Sequence, residues 1–214
     1  MDEIILRHVI PKVFADSAKL HSEVWGQSVS FSKGLHYIIE AASGLGKSSL
    51  CSFLYGERRD YSGRILYDGV DIGTYGIGRW VEVRRGHIAY LPQNLGIFPE
   101  LTARENIMLK NRLTGYKTLQ QIEDLAEVMG IASKLDTPAR LLSVGQQQRV
   151  ALVRTMCQPC DFFLLDEPVS HLDMANNRIA ADVLMAEAQA CGAGIIATSV
   201  GNRLLLSQCH SISL

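Results

Sequence analysis

The chain has no apolar run approaching the roughly 20 residues that span a bilayer, no internal repeat, no low-complexity tract, no heptad run and no surplus of one charge. Each absence removes a class of function. Twenty-one basic and 22 acidic residues are mixed along the chain for a net charge of -1, so there is no basic footprint for a phosphate backbone and nucleic acid is not an expected partner. Asp2, Glu3 and Arg7 interrupt the region where a signal peptide would carry its apolar core, which predicts a cytoplasmic chain. The five cysteines, Cys51, Cys157, Cys160, Cys191 and Cys209, form an odd and unevenly spaced set, unlike a secreted disulfide framework. Cys157-Gln158-Pro159-Cys160 has half the spacing of a zinc or redox site, but no second such pair or clustered histidine accompanies it. It reads as a plain connection from helix to strand.

What remains is a chain of 214 residues, 47% hydrophobic, enough for one compact body with a buried core. Short apolar runs alternate with longer stretches of helical period, the pattern of an α/β domain whose parallel strands are covered by helices. Residues 88–91, 162–165 and 195–198 read as buried parallel strands and 211–214 as an edge strand. The first part is less regular. Residues 4–9, 24–31 and 36–41 read as strands, and 64–67 with 70–72 as a hairpin turning on Asp68-Gly69, which predicts an antiparallel patch beside the parallel sheet.

After Gln93 the character changes to helix, with repeated start signals in Thr102-x-x-Glu105, Thr118-x-x-Gln121 and Ser143-x-x-Gln146. The division expected is one domain over residues 1–214, with an α/β core of 1–93 and 158–214 and a helical subdomain inserted at 94–157. The helix opened by Ser143 should run toward Met156 with its first amides free to bind an anion.

Ser43-Gly44-Leu45-Gly46-Lys47-Ser48 follows an apolar strand and opens a helical segment beginning at Ser49, the context a phosphate-cradling loop needs. Gly44 and Gly46 let backbone amides approach phosphate oxygens, Lys47 supplies a point charge, and the Ser48 hydroxyl suits magnesium. A common form of this loop has glycine five residues before Gly46, where this chain has Ala41. Asp166 follows Phe162-Phe163-Leu164-Leu165, so it sits at the carboxyl end of a buried strand, where it can coordinate magnesium. Glu167, one residue on, is placed to accept a proton from an attacking water.

Taken together, these stretches and Leu142-Ser143-Val144-Gly145-Gln146 between them resemble the ATP-binding subunits of ATP-binding-cassette transporters over nearly the whole chain. The resemblance implies a P-loop nucleotide hydrolase fold, with ATP and Mg2+ as ligands. It makes Gln93 the glutamine-loop residue near the metal and the reacting water, and Leu142 to Gln146 the signature. Ser43 to Ser49 then bind phosphate, Phe14 takes the place of an aromatic that stacks on adenine, with Trp25 as a second candidate, and Asp173 in Ser170-His171-Leu172-Asp173 lies on a loop that crosses a dimer interface. In such a head-to-tail dimer, ATP held by one subunit is closed over by Ser143, Gly145 and Gln146 of the other. Residues 97–101 would line a groove for a helix of a transmembrane permease, with the cassette peripheral on the cytoplasmic face of the inner membrane.

Two departures from the family pattern stand out. Val144 occupies the signature's glycine position, where a β-branched side chain restricts the backbone and crowds a γ-phosphate. Ser199 follows the strand at 195–198 where the family has a histidine, and serine is shorter and never cationic. Slow hydrolysis is therefore expected. A homodimer would carry both defects at each site and a heterodimer with a regular cassette one at each, with symmetric pairing the commoner arrangement. The other function class is a soluble or regulatory cassette not coupled to transport.

Overall fold

Runs rich in Ile, Leu, Val and Phe organise the chain into two sheets in the computed structural model, which describes residues 1–15 and 22–214. The first sheet is antiparallel and contains β1 (Glu3–Pro11), β2 (Ser28–Ser32), β4 (Tyr61–Tyr67) and β5 (Val70–Asp71), in the order β2-β1-β4-β5. Asp68 and Gly69 both adopt positive φ, 48° and 80°, between β4 and β5, the turn geometry that matches the twist of a two-residue hairpin. The second sheet is wholly parallel and contains β3 (His36–Glu40), β6 (Ile88–Leu91), β7 (Phe162–Leu165), β8 (Gly194–Ser199) and β9 (His210–Ser213), in the order β6-β7-β8-β3-β9.

The two-residue period of the parallel strands splits the core into two clusters. Tyr37, Ile39, Ile88, Phe162, Leu164 and Ile196 face one side, packed with α1 (Lys47–Leu54), α2 (Ile77–Gly86) and the antiparallel sheet. Ile38, Ala89, Leu91, Phe163, Leu165 and Ile195 face the other, packed with α3 (Ala103–Thr114), α4 (Leu119–Val128), α5 (Val144–Met156) and α6 (Met174–Cys191). Strands buried on both faces explain the unbroken Phe-Phe-Leu-Leu of β7. The fold is thus α/β, a mainly parallel sheet with an antiparallel patch and helices between Gln93 and β7.

Each of the three predicted helix starts carries a complete capping box: Thr102 with Glu105, Thr118 with Gln121, and Ser143 with Gln146. Two expectations need correcting. The strand predicted at 24–31 begins only at Ser28, because Ser22 Oγ accepts the amides of Val24 and Trp25 at 3.0 and 2.8 Å and turns the chain so that the Trp25 ring drops into the core. Two helices, α2 and α6, occupy stretches in which no helix start was read. Among the described residues no helix is long and apolar enough to cross a membrane.

Candidate functional site

The order β7-β8-β3 brings the carboxyl ends of three neighbouring strands side by side, and the site grows from those ends. Beyond β3 the chain turns through residues 41–46 into α1. Gly46 is the N-cap of α1 at φ 94°, a left-handed conformation that favours glycine, and any Cβ there would lie 3.0 Å from the Phe14 ring. The loop is held from below by Trp25, 3% exposed, whose indole Nε1 donates to the Leu45 carbonyl at 3.1 Å. Trp25 is therefore a brace for the loop, not a surface for adenine. Phe14 stays half-buried against Gly46 at the loop's edge.

Lys47 is 5% exposed, and its ammonium donates to the carbonyls of Ala41 and Ala42 at 3.0 and 2.9 Å while lying 4.0 Å from Glu167 Oε1. Burial pushes its pKa below the ordinary lysine value, opposed by the charges of Glu167 and Asp166. Ser48 Oγ donates to Gln93 Oε1 at 3.3 Å, joining the loop to the segment after β6. Ser43, Gly44, Gly46, Lys47, Ser48, Ser49, Gln93 and Glu167 line one pocket of about 250 Å³.

Behind that pocket Asp166 is 2% exposed and accepts from Thr198 Oγ1 at 2.6 Å. Thr198 Oγ1 in turn accepts the Glu167 amide at 3.1 Å, so one hydroxyl on β8 fixes both carboxylate residues. Glu167 has φ 52°, a conformation that strains a residue with a Cβ and persists only where the surroundings hold it. Gln148, fully buried on α5, supplies the second restraint: its Nε2 donates to the Glu167 carbonyl at 3.1 Å and to Ser170 Oγ at 3.3 Å, while its Oε1 accepts the His171 amide at 2.9 Å. No short motif marked Gln148 or Thr198 in advance. Their roles come from a helix and a strand meeting the carboxylate turn in space.

Magnesium takes hard oxygen ligands in octahedral geometry and keeps several waters. Ser48 Oγ and Gln93 Oε1 are such donors already within hydrogen-bonding range of each other, and among the described residues the second Asp166 oxygen accepts no hydrogen bond. These few oxygen donors suit an ion that keeps waters of its own. The residues fit magnesium.

The signature stretch lies elsewhere. Ser143 is the exposed N-cap of α5, accepting the Gln146 amide at 3.3 Å while Gln146 Oε1 accepts the Ser143 amide at 2.9 Å. Val144 is the first residue of α5, half exposed and at negative φ, so no left-handed backbone is asked of its branched side chain and its bulk is the remaining difference from glycine. A Cβ on Gly145 would approach the His171 carbonyl to 3.0 Å, which accounts for glycine at that position. Asp173 is exposed and caps α6 through the Asn176 amide at 2.8 Å, a bond that lowers its carboxyl pKa. Ser143, Gly145, Gln146 and Asp173 are not part of the pocket around Lys47. Ser199, 5% exposed, also lies outside it and donates its hydroxyl to the Asn202 carbonyl at 3.2 Å.

A second hollow, about 420 Å³ and mainly apolar, opens between Tyr55, Tyr90, Pro92, Phe98, Leu109 and Leu113. Of the apolar residues expected there, only Phe98 lines it, at 55% exposure. Ile97 packs against the core cluster and Leu101 is half-buried. The loop bearing Phe98 is anchored by Arg154, whose guanidinium donates to the carbonyls of Leu95 and Gly96, and by buried Asn106, whose Oδ1 accepts the Phe98 amide at 2.9 Å.

A family profile described as ABC transporter matches residues 25–170. The molybdate/tungstate import ATP-binding protein WtpC of Pyrococcus abyssi is 32% identical over 162 residues, which cover 73% of this chain and 45% of that protein. The ABC transporter ATP-binding protein YtrE of Bacillus subtilis is 32% identical over 149 residues, covering 68% and 64%. The chain spans about half the length of the curated relatives it matches. Among solved structures, the dimeric form of a bacterial ABC transporter cassette superposes with a TM-score of 0.74 at 21% identity, covering 91% of this chain and 87% of that one. A post-hydrolysis dimeric state of that cassette with ADP and Pi gives a TM-score of 0.73 at 22% identity. At such identities these two structures speak to the fold alone.

Proposed function

The chain belongs to the ABC transporter family, and on that footing we propose that it is an ATP-hydrolysing subunit whose nucleotide-driven pairing with a second cassette moves a membrane permease. One observation carries the reading: Lys47, Ser48, Gln93 and Glu167 surround a single pocket, while the residues of the capped, exposed start of α5 are not among those that line it. A helix start is a ready anion site, and here a second subunit's ATP is its natural ligand.

In this reading the amides of residues 43–48 and the Lys47 ammonium bind the phosphates, with Phe14 beside the loop as the candidate for stacking on adenine. Ser48, Gln93 and Asp166 would hold Mg2+, which would supply neutralisation of phosphate charge. Glu167 accepts the proton of the attacking water, help worth about a hundred- to ten-thousand-fold in rate. Thr198 and Gln148 keep its backbone in the strained turn that points it at the pocket. Ser143 of the other subunit, whose oxygen is already used by Gln146, keeps its own proton to donate to the γ-phosphate. Gly145 and Gln146 flank it, and Asp173 fixes the adjacent loop by capping α6.

Turnover is slow. The Ser199 hydroxyl is committed to Asn202 and supplies no cation to the transition state, and Val144 presents a branched side chain at the helix end that should close over phosphate. The same two features favour, as a second reading, a regulatory cassette that binds ATP and closes without driving transport. The apolar hollow at Phe98 suits an inserted permease helix, which would hold the subunit at the cytoplasmic face of the inner membrane. The second cassette is an identical chain by default, or a regular cassette that would leave one defect per site.

Affinity purification of the tagged chain from detergent-solubilised membranes tests the proposal. A multi-span permease recovered in fixed ratio, whose reconstitution raises ATP hydrolysis, is the expected result. Recovery of the chain with no membrane protein, and hydrolysis unchanged by membranes, would leave the regulatory reading.

A further inference from the structure

None of the five cysteines is disulfide-bonded, and two of them, Cys160 and Cys191, sit on segments that run side by side and line no part of the pocket around Lys47. Cys160 immediately precedes Asp161 and β7, and Cys191 closes the last turn of α6. The parallel register Phe162↔Gly194 brings the two segments abreast, and the Gly194 amide bonds the Asp161 carbonyl at 2.8 Å. Both sulfurs belong to one hydrophobic cluster, Cys160 inside it and Cys191 packed against it. Cys160 is 5% exposed, whereas Cys191 is only partly buried, and while neutral its thiol donates to the Glu187 carbonyl at 3.1 Å. The hydrogen bond from Cys160 holds the Cys191 thiol down to about 6, against its burial and the Glu187 charge, so the more accessible sulfur is also the better nucleophile.

We propose that Cys191 and Cys160 form a reversible disulfide on exposure to a hydroperoxide, making the junction of α6 and β7 a redox-modification site. The Cys191 thiolate attacks the peroxide, forming an S–O bond as the O–O bond breaks, and the departing oxygen leaves as water after taking up a proton. The Cys160 sulfur then attacks the Cys191 sulfenic acid: the S–S bond forms, the S–O bond breaks, and a second water carries away the Cys160 proton. Two thiols and one hydrogen peroxide become one disulfide and two waters, with the peroxide reduced. Accessible Cys191 reacts first and shielded Cys160 resolves it, an order in keeping with exposed, low-pKa sensor cysteines beside a resolving partner. The bond would tie the end of α6 to the segment that opens the strand leading to Asp166, restricting the unfolded chain without touching the pocket.

The purified full-length chain, treated with stoichiometric hydrogen peroxide, alkylated and mapped by mass spectrometry, tests this. The expected result is a linked pair of peptides bearing Cys160 and Cys191, lost on dithiothreitol treatment, and a melting temperature roughly 5–10 °C higher in the linked form. In Cys160→Ser a sulfenic-acid probe should label Cys191, in Cys191→Ser the link should vanish with Cys160 remaining alkylatable after unfolding, and Cys157→Ser should still form it. Binding of ATP should be equal in reduced and oxidised protein, so the outcome is separate from that of the transport reading. A link between Cys157 and Cys160 instead, or both Cys160 and Cys191 still alkylated after peroxide, would overturn the proposal.

Discussion

At Ser199 the difference between a contact and a mere position is a single hydrogen bond. The hydroxyl ends on the Asn202 carbonyl, yet the cleft beside it, bounded by Ala41, Ala42, Val200 and Gly201, has about 540 Å³ of open volume, so a longer side chain can leave the turn. Ser199→His should therefore raise kcat by ~10-fold or more with little change in KM, because it adds a donor where charge develops rather than where ground-state ATP is held. Steady-state hydrolysis of the assembled complex checks this, and Val144→Gly in the same background should add to it. Unchanged turnover in the double variant would assign the protein to the regulatory class. Gln148 makes the opposite kind of prediction. Its amide serves Glu167, Ser170 and His171 while fully buried, so Gln148→Leu should cost about 1–3 kcal/mol in stability from orphaned partners and lower kcat by letting the strained Glu167 turn relax. A variant as stable and as active as the parent would remove Gln148 from the positioning machinery.

Elements were legible where a local signal decides them. The capping boxes at Thr102, Thr118 and Ser143 announce helices because a side chain three residues on satisfies the free amide of the cap, and β6 and β7 match their apolar runs residue for residue. Helix α2 has no such mark: Gly78 and Gly86 weaken its propensity, Ile77 and Val81 face solvent, and only Trp80 and Val83 are buried. What holds it is the edge-on packing of Trp80 against Tyr67 and Tyr75, with Arg84, one turn along the same helix, over the indole. The glycine-rich loop, Asp166 and Glu167 could be read from spacing, whereas Trp25 under the loop and Arg154 under the Gln93 segment could not, since both act on carbonyls distant in sequence. Arg154 links the last turn of α5 to the loop after β6, with burial lowering its pKa. Replacing it with Met keeps the volume and removes the donors. Hydrogen exchange at residues 95–98 should rise ~10-fold or more, in line with a lost charged hydrogen bond of about 1.5–3 kcal/mol, while exchange in β7 stays slow. Uniform loosening of both regions would mean that Arg154 serves general packing.

For the whole molecule the decisive property is separation: Ser143 and Gly145 lie outside the pocket at Lys47, at the start of α5, where Ser143 and Val144 are exposed. In the proposed pairing, a two-fold axis would bring each exposed helix start to the other chain's pocket. Exposed Leu141, Val144 and Met174, at 63%, 50% and 72%, lie on or beside the elements that would meet in such a pair. Association should therefore depend on ATP and be undone by its hydrolysis. Glu167→Gln keeps the size of the side chain while removing the proposed proton acceptor, and with ATP it should sediment as a dimer, whereas ADP, or Lys47→Ala with ATP, should leave a monomer. In the parent chain the specific rate of hydrolysis should climb with protein concentration, as each site needs a second subunit. If Glu167→Gln binds ATP yet stays monomeric alone and dimerises only when a regular cassette is added, the bulk of Val144 at both interfaces becomes the physical cause, and Val144→Gly should restore self-association.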